Sequence, residues 1–132
     1  MTRVDVTARV GSEGTVSISG ARGALLRFAS LLAKGESTVV ALLAPATVAP
    51  YASAATTMRI RVDPDPGVAL SWERDELVVT GEPSALAMLA RNISTFGSEP
   101  TAAGGHVHED YFPGHSYLRQ GSSPTVIELT GR

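Results

Sequence analysis

The chain has 132 residues, 43% hydrophobic and 18% charged, with 11 Lys and Arg against 13 Asp and Glu and a formal charge of −2. That length and apolar content suit one soluble domain, residues 1–132, with a real core. Weak net acidity without a basic cluster argues against a nucleic-acid partner. The absence of cysteine excludes disulfides, thiolate zinc sites and cysteine nucleophiles together. The start of the chain alternates polar and apolar residues instead of presenting a charged and then an apolar region, and the longest apolar run, residues 39–46, is too short to span a bilayer. The expectation is therefore a cytoplasmic protein with no membrane partner.

Val4, Val6, Ala8 and Val10 alternate with polar neighbours, as in a half-buried strand. A turn at residues 11–14 returns the chain through residues 15–19, predicting a hairpin. Ser19 is placed to cap a helix from Ala21 to Lys34, with Leu25, Phe28 and Leu32 on one face and Gly35 as its stop. Residues 37–44 read as an interior strand with both faces covered, and a loop with Pro45, Pro50 and Tyr51 follows. Met58, Ile60 and Val62 alternate with Arg59 and Arg61 in a strand that the Pro-rich residues 63–67 close.

The order then repeats. Val68, Leu70 and Trp72 mark a strand, residues 73–75 a turn, and residues 76–80 its hairpin partner. Pro83 opens a helix with Leu86, Leu89, Ile93 and Phe96 on its buried stripe and Gly97 as its stop. A linker at 98–105, a strand at 106–111, a loop at 112–124 and a last strand at 125–130 complete the chain. Residues 17–20 match residues 78–81, and Ala24-Leu25 and Phe28-Ala29 match Ala85-Leu86 and Leu89-Ala90 at the same offset. The expected fold is α+β: antiparallel sheet with two helices, by internal duplication of a ββαββ unit, with pseudo-repeats near 1–66 and 67–132. Such a unit leaves one sheet face bare, and packing two as a pseudo-symmetric pair buries it. Trp72, in phase with Val68 and Leu70, is expected in the core.

The chemistry-bearing residues gather in HVHEDYFPGHSYL, His106 to Leu118, which holds all three histidines and two of the three tyrosines. In a strand, His106, His108 and Asp110 share one face, and Val107, Glu109 and Tyr111 the other. Pro113 and Gly114 then impose a turn that exposes His115 and Tyr117. Tyr51 and Tyr117 would occupy equivalent loops of the two halves, presenting paired aromatic loops at one end.

Together with Pro124-Thr-Val-Ile-Glu-Leu129, this run resembles the carboxy-terminal signature of the immunity protein 32 family of bacterial polymorphic toxin systems. The residues that carry the resemblance are Tyr111, Phe112, Pro113, Gly114, His115, Tyr117 and Leu118. It implies a small α+β protein that neutralises a cognate protein toxin by binding it, with no catalysis and no cofactor. The expected partner-binding residues are Tyr111, Phe112, His115, Tyr117 and Arg119, with Pro113 and Gly114 fixing the loop.

Other readings compete. His106, His108 and Asp110, with His115, have the local spacing of a metal site, which would make the chain a small metal-dependent hydrolase. The supporting second Asp-His unit and the longer chain of such hydrolases are missing, and two histidines on a solvent-facing strand are equally ordinary polar residues. A third possibility is a self-associating structural domain or homodimer built on exposed edge strands. Ser116 lacks a nucleophile elbow, and Gly20-Ala-Arg-Gly23 lacks the Lys-Ser/Thr of a nucleotide loop, so a loop hydroxyl and a tight turn are the expected roles. Arg3, Arg9, Arg59 and Arg61 suit either a solvated face or an acidic partner.

Overall fold

The computed structural model describes residues 2–100 and 104–130. The strands are β1 (Arg3–Val4), β2 (Thr7–Val10), β3 (Val16–Gly20), β4 (Thr38–Leu42), β5 (Ser53–Ala55), β6 (Thr57–Val62), β7 (Val68–Glu73), β8 (Glu76–Gly81), β9 (His106–Glu109) and β10 (Thr125–Leu129). Two helices, α1 (Arg22–Ala33) and α2 (Pro83–Ser98), follow the two hairpins. The fold is α+β, as the sequence predicts. Residues 101–103 of the expected linker lie outside the described residues.

Two five-stranded sheets form, in the orders β1-β4-β6-β8-β7 and β5-β2-β3-β10-β9. Both are mixed, which corrects the expectation of antiparallel pairing throughout. The hairpin β2-β3 is joined to the late pair β9-β10 by parallel β3 and β10, in register from Val16 opposite Thr125 to Gly20 opposite Leu129. Reciprocally, the hairpin β7-β8 is joined to β4-β6 by parallel β6 and β8, from Met58 opposite Leu77 to Val62 opposite Gly81. Each sheet therefore takes its hairpin from one half of the chain and its second pair from the other.

The inward residues of both sheets and the facing stripes of α1 and α2 make one core. Leu25, Phe28 and Leu32 of α1 and Leu86, Leu89 and Ile93 of α2 are fully buried, each worth about 1.5–3 kcal/mol of apolar burial. Gly97 is not the stop of α2 but its penultimate residue, buried where a Cβ would lie 3.2 Å from Leu26 Cδ2. Its missing side chain lets the helices approach closely. Arg22 donates to the carbonyls of Gly97 and Glu99, satisfying acceptors that the end of α2 leaves free.

Four further expectations change. The first alternating segment is divided at Asp5-Val6 between two sheets, β1 pairing with β4 and β2 with β3. β4 is flanked on both sides within its sheet, but only Val40 and Leu42 are buried, so one face is covered. The N-cap of α1 is Ala21, with no side-chain cap, and Ser19 is a buried residue of β3 whose Oγ accepts from Thr7 Oγ1 at 3.3 Å. β5 lies in the segment read as loop; it pairs with β2 along Ser53–Ala55. Gly35 does end α1, at φ +64°. Trp72 is half-buried and packs against the core.

A Cβ at Gly81 would lie 2.8 Å from Val68 Cβ and 3.0 Å from the Gly67 carbonyl, whereas one at Gly23 would meet nothing within 4 Å. Gly81→Ala is expected to cost about 1–3 kcal/mol through overpacking. Gly23→Ala, in the first turn of α1, is expected to add about 0.5–1 kcal/mol. Urea unfolding of the two variants beside the native chain measures both.

Candidate functional site

β9 ends at Glu109, two residues short of the expected strand, and the chain then turns outward through Pro113 and Gly114. Gly114 has φ +89°, a conformation that favours glycine, and His115 N donates to Phe112 O at 2.9 Å to close the turn. The Phe112 side chain is 58% exposed, the most open large apolar residue among those described. Its ring leans on His115 at 4.8 Å between centroids, and His115 meets Tyr117 edge to face at 4.7 Å.

The aromatic row is held from beneath by groups the sequence reading did not single out as a site. His115 Nδ1 accepts from the backbone N–H of Tyr117 at 3.2 Å and of Leu118 at 3.0 Å, so its ring is a local cap. That arrangement requires Nδ1 to be unprotonated. Tyr117 donates its hydroxyl to Glu109 Oε1 at 2.6 Å, and Asn92 of α2 donates to Glu109 Oε2. Glu109 is only 1% exposed. Burial pushes its carboxyl above the usual carboxylate range, against the lowering effect of the Tyr117 and Asn92 hydrogen bonds. Burial and the adjoining carboxylate likewise raise the Tyr117 phenol far above its ordinary value.

Beyond the turn, the chain lies along the outer side of β7. Val68 N donates to Tyr117 O at 2.8 Å, Arg119 N to Val68 O at 2.9 Å and Ser123 N to Leu70 O at 2.7 Å. Arg119 grips Asp63 with two nitrogens, at 2.8 and 3.2 Å, and donates to the carbonyls of Asp65 and Gly67 at 2.9 and 2.8 Å. The hydrogen bonds from Arg119 hold the Asp63 carboxyl below its usual range. Gly67 is required here: a Cβ would lie 2.9 Å from that of Arg119.

Of the seven predicted turn residues, the structure thus places Phe112, Pro113 and Gly114 in the open and leaves His115 half-buried. Tyr111 and Tyr117 pack partly against the core, and Arg119 is engaged with the 63–67 loop. Glu109, Asn92 and Asp63 emerge as their supports. Glu109 carried a signal in the sequence, an acid in phase with the apolar Val107 and Tyr111. Asn92 and Asp63 carried none, because their partners are distant in the chain.

The metal alternative finds no ligand set: among the described residues no three His, Asp or Glu are placed to hold an ion. His106 and His108 stand edge to face at 5.2 Å on the exposed side of β9, while His115 Nδ1 is spent on the backbone. Tyr51 lies elsewhere, its ring under the Arg9 guanidinium at 4.3 Å and its hydroxyl 3.4 Å from Ser17 Oγ, and among the described residues no bond or ring contact joins it to Tyr117. Arg59 and Arg61 pair with Glu76 and Glu73 of the same sheet at 3.2 and 3.6 Å, and Arg3 with Asp5 at 3.0 Å.

Fold and site together define an α+β protein that presents a braced aromatic turn. Residues 76–130 match the model of the family Immunity protein 32, a span running from β8 through α2, β9 and the whole turn to β10. No curated protein and no solved structure matches the chain. No helix among the described residues is long and apolar enough to cross a membrane.

The two carboxylates make opposite demands on pH. Glu109, raised in the fold, contributes stability that is fully present below its unfolded pKa and is lost as pH rises through the folded one. Asp63, lowered, contributes stability present above its unfolded pKa and lost as pH falls through the folded one. Glu109→Gln should remove the first dependence and keep the turn braced, since an amide can still accept from Asn92 and donate to the Tyr117 oxygen. Glu109→Ala leaves buried donors unpaired and should cost about 2–3 kcal/mol. Urea titrations across the acid range distinguish the three chains.

Proposed function

We propose that this chain is an immunity protein, one that binds and neutralises a cognate protein toxin of a bacterial polymorphic toxin system without catalysing a reaction. It would act in the cytoplasm, where a toxin made by a neighbouring or sister cell arrives. The family match over the turn and its supporting elements favours this role. The observation that carries it is Phe112, a large apolar side chain left open on a turn whose flanks are tied to β9, α2 and β7. A preorganised aromatic loses little freedom on association, so its burial against a partner translates efficiently into affinity.

Phe112 and His115 would meet the toxin directly, with Tyr111 contributing its exposed part. Tyr117 and Arg119 would bear on the interface mainly by holding the turn, since their polar ends are bonded to Glu109 and Asp63. Pro113 and Gly114 fix the shape of the tip.

The test is co-expression with the cognate toxin, combined with titration calorimetry on an inactive toxin variant. Phe112→Ala is expected to weaken binding at least about tenfold, about 1.4 kcal/mol, with Tm almost unchanged. Arg119→Ala should lower Tm by several degrees as well as weaken binding. Full protection and native affinity from Phe112→Ala would remove the turn from the interface.

A further inference from the structure

Four strands end the two sheets, and three are protected. β1 and β5 are two and three residues long, and β7 is covered by residues 117–123 through the bonds of Val68 and Leu70. β9 alone runs its full length as an end strand with no neighbour on its outer side among the described residues. It contains neither proline nor lysine, the usual means of discouraging edge pairing.

The register identifies which groups face outward. Leu129 N donates to Gly105 O, so at two-residue intervals Val107 and Glu109 also turn their amide groups toward β10. Those of His106 and His108 point away from the sheet. Their side chains are exposed on one face of β9, and Asp110, the residue just beyond it, is exposed as well.

We propose that β9 is a homodimer edge: two copies pair antiparallel about a twofold axis at His108, merging their sheets. A twofold pairing that keeps outward residues opposite outward residues must centre on Val107 or His108. Centring on Val107 sets His106 opposite His108 of the second copy and Asp110 opposite Gly104. Centring on His108 sets His106 opposite Asp110 twice, where an imidazole N–H donates to a carboxylate, and extends the backbone ladder from residue 106 to residue 110. The second register satisfies more groups, and the second copy supplies the complementary hydrogen-bonding partner at each end.

Sedimentation of the full chain over a concentration series from micromolar to near millimolar tests this. The native mass should rise from the 13.7 kDa monomer toward twice that value. His108→Pro removes an outward N–H without costing a bond to β10, and should stay monomeric with native circular dichroism and Tm. Asp110→Arg, outside the strand, should raise the dimer dissociation constant about tenfold by setting a cation opposite His106. It decides the matter if the proline variant does not fold. A native chain monomeric throughout overturns the proposal, as does a folded His108→Pro or an Asp110→Arg that dimerises like the native chain. If the native chain is monomeric and the His106 and His108 amides gain exchange protection only when toxin is added, the edge belongs to the toxin instead.

Discussion

Everything in this molecule depends on two parallel strand pairs, β3 with β10 and β6 with β8. Without them each half of the chain would hold a hairpin, a helix and a strand pair that could not share a sheet. The inner side of β3 would expose its amides, and the apolar faces of Val16 and Ile18 would have no continuous floor. Joined reciprocally, the halves yield two five-stranded layers and one core in which α1 and α2 pack on each other. Gly20 and Gly81 stand at corresponding ends of β3 and β8, and each is crowded by a valine, Val6 and Val68. The chain leaves both strands for a helix at a point where any side chain would collide.

The aromatic turn inherits its rigidity from that framework. Glu109 is the last residue of a strand held by β10, and its buried carboxylate receives one bond from α2 and one from Tyr117. Removing a carboxylate from water without a cation beside it is costly, and the two donors offset that cost only if both stay in place. The same polar contact therefore demands a fixed turn and supplies the means of fixing it. Arg119 closes the far side by tying the turn's exit to the 63–67 loop.

Alternation made much of the fold legible. Val68, Leu70 and Trp72, and Met58, Ile60 and Val62, lie where a period of two puts them, and the helix stripes at Leu25, Phe28, Leu32 and at Leu86, Leu89, Ile93 are buried. The division of the first segment at Asp5-Val6 was hidden because the alternation continues unbroken while the chain changes sheets. β5 was hidden because Ser53-Ala-Ala55 has too little side chain to show a pattern. Parallel pairing leaves no local trace, since β3 and β10 meet across nearly the whole chain. In the site, Pro113 and Gly114 announced the turn, but neither the role of His115 as an acceptor nor the partner of Arg119 could be read locally.

The pairing of β3 with β10 also bears on how the protein is made. Synthesis delivers β3 well before β10, with Thr125 destined for Val16 and Leu129 for Gly20. Until β10 emerges, the nascent first half carries an open strand edge beside an apolar face, the combination that chaperones recognise and aggregates exploit. Closure must then bring together strands far apart in the chain, a non-local pairing whose loop-closure entropy slows folding. A chain lacking β10 would lose the strand that joins β3 to β9, so this one segment decides whether that sheet closes.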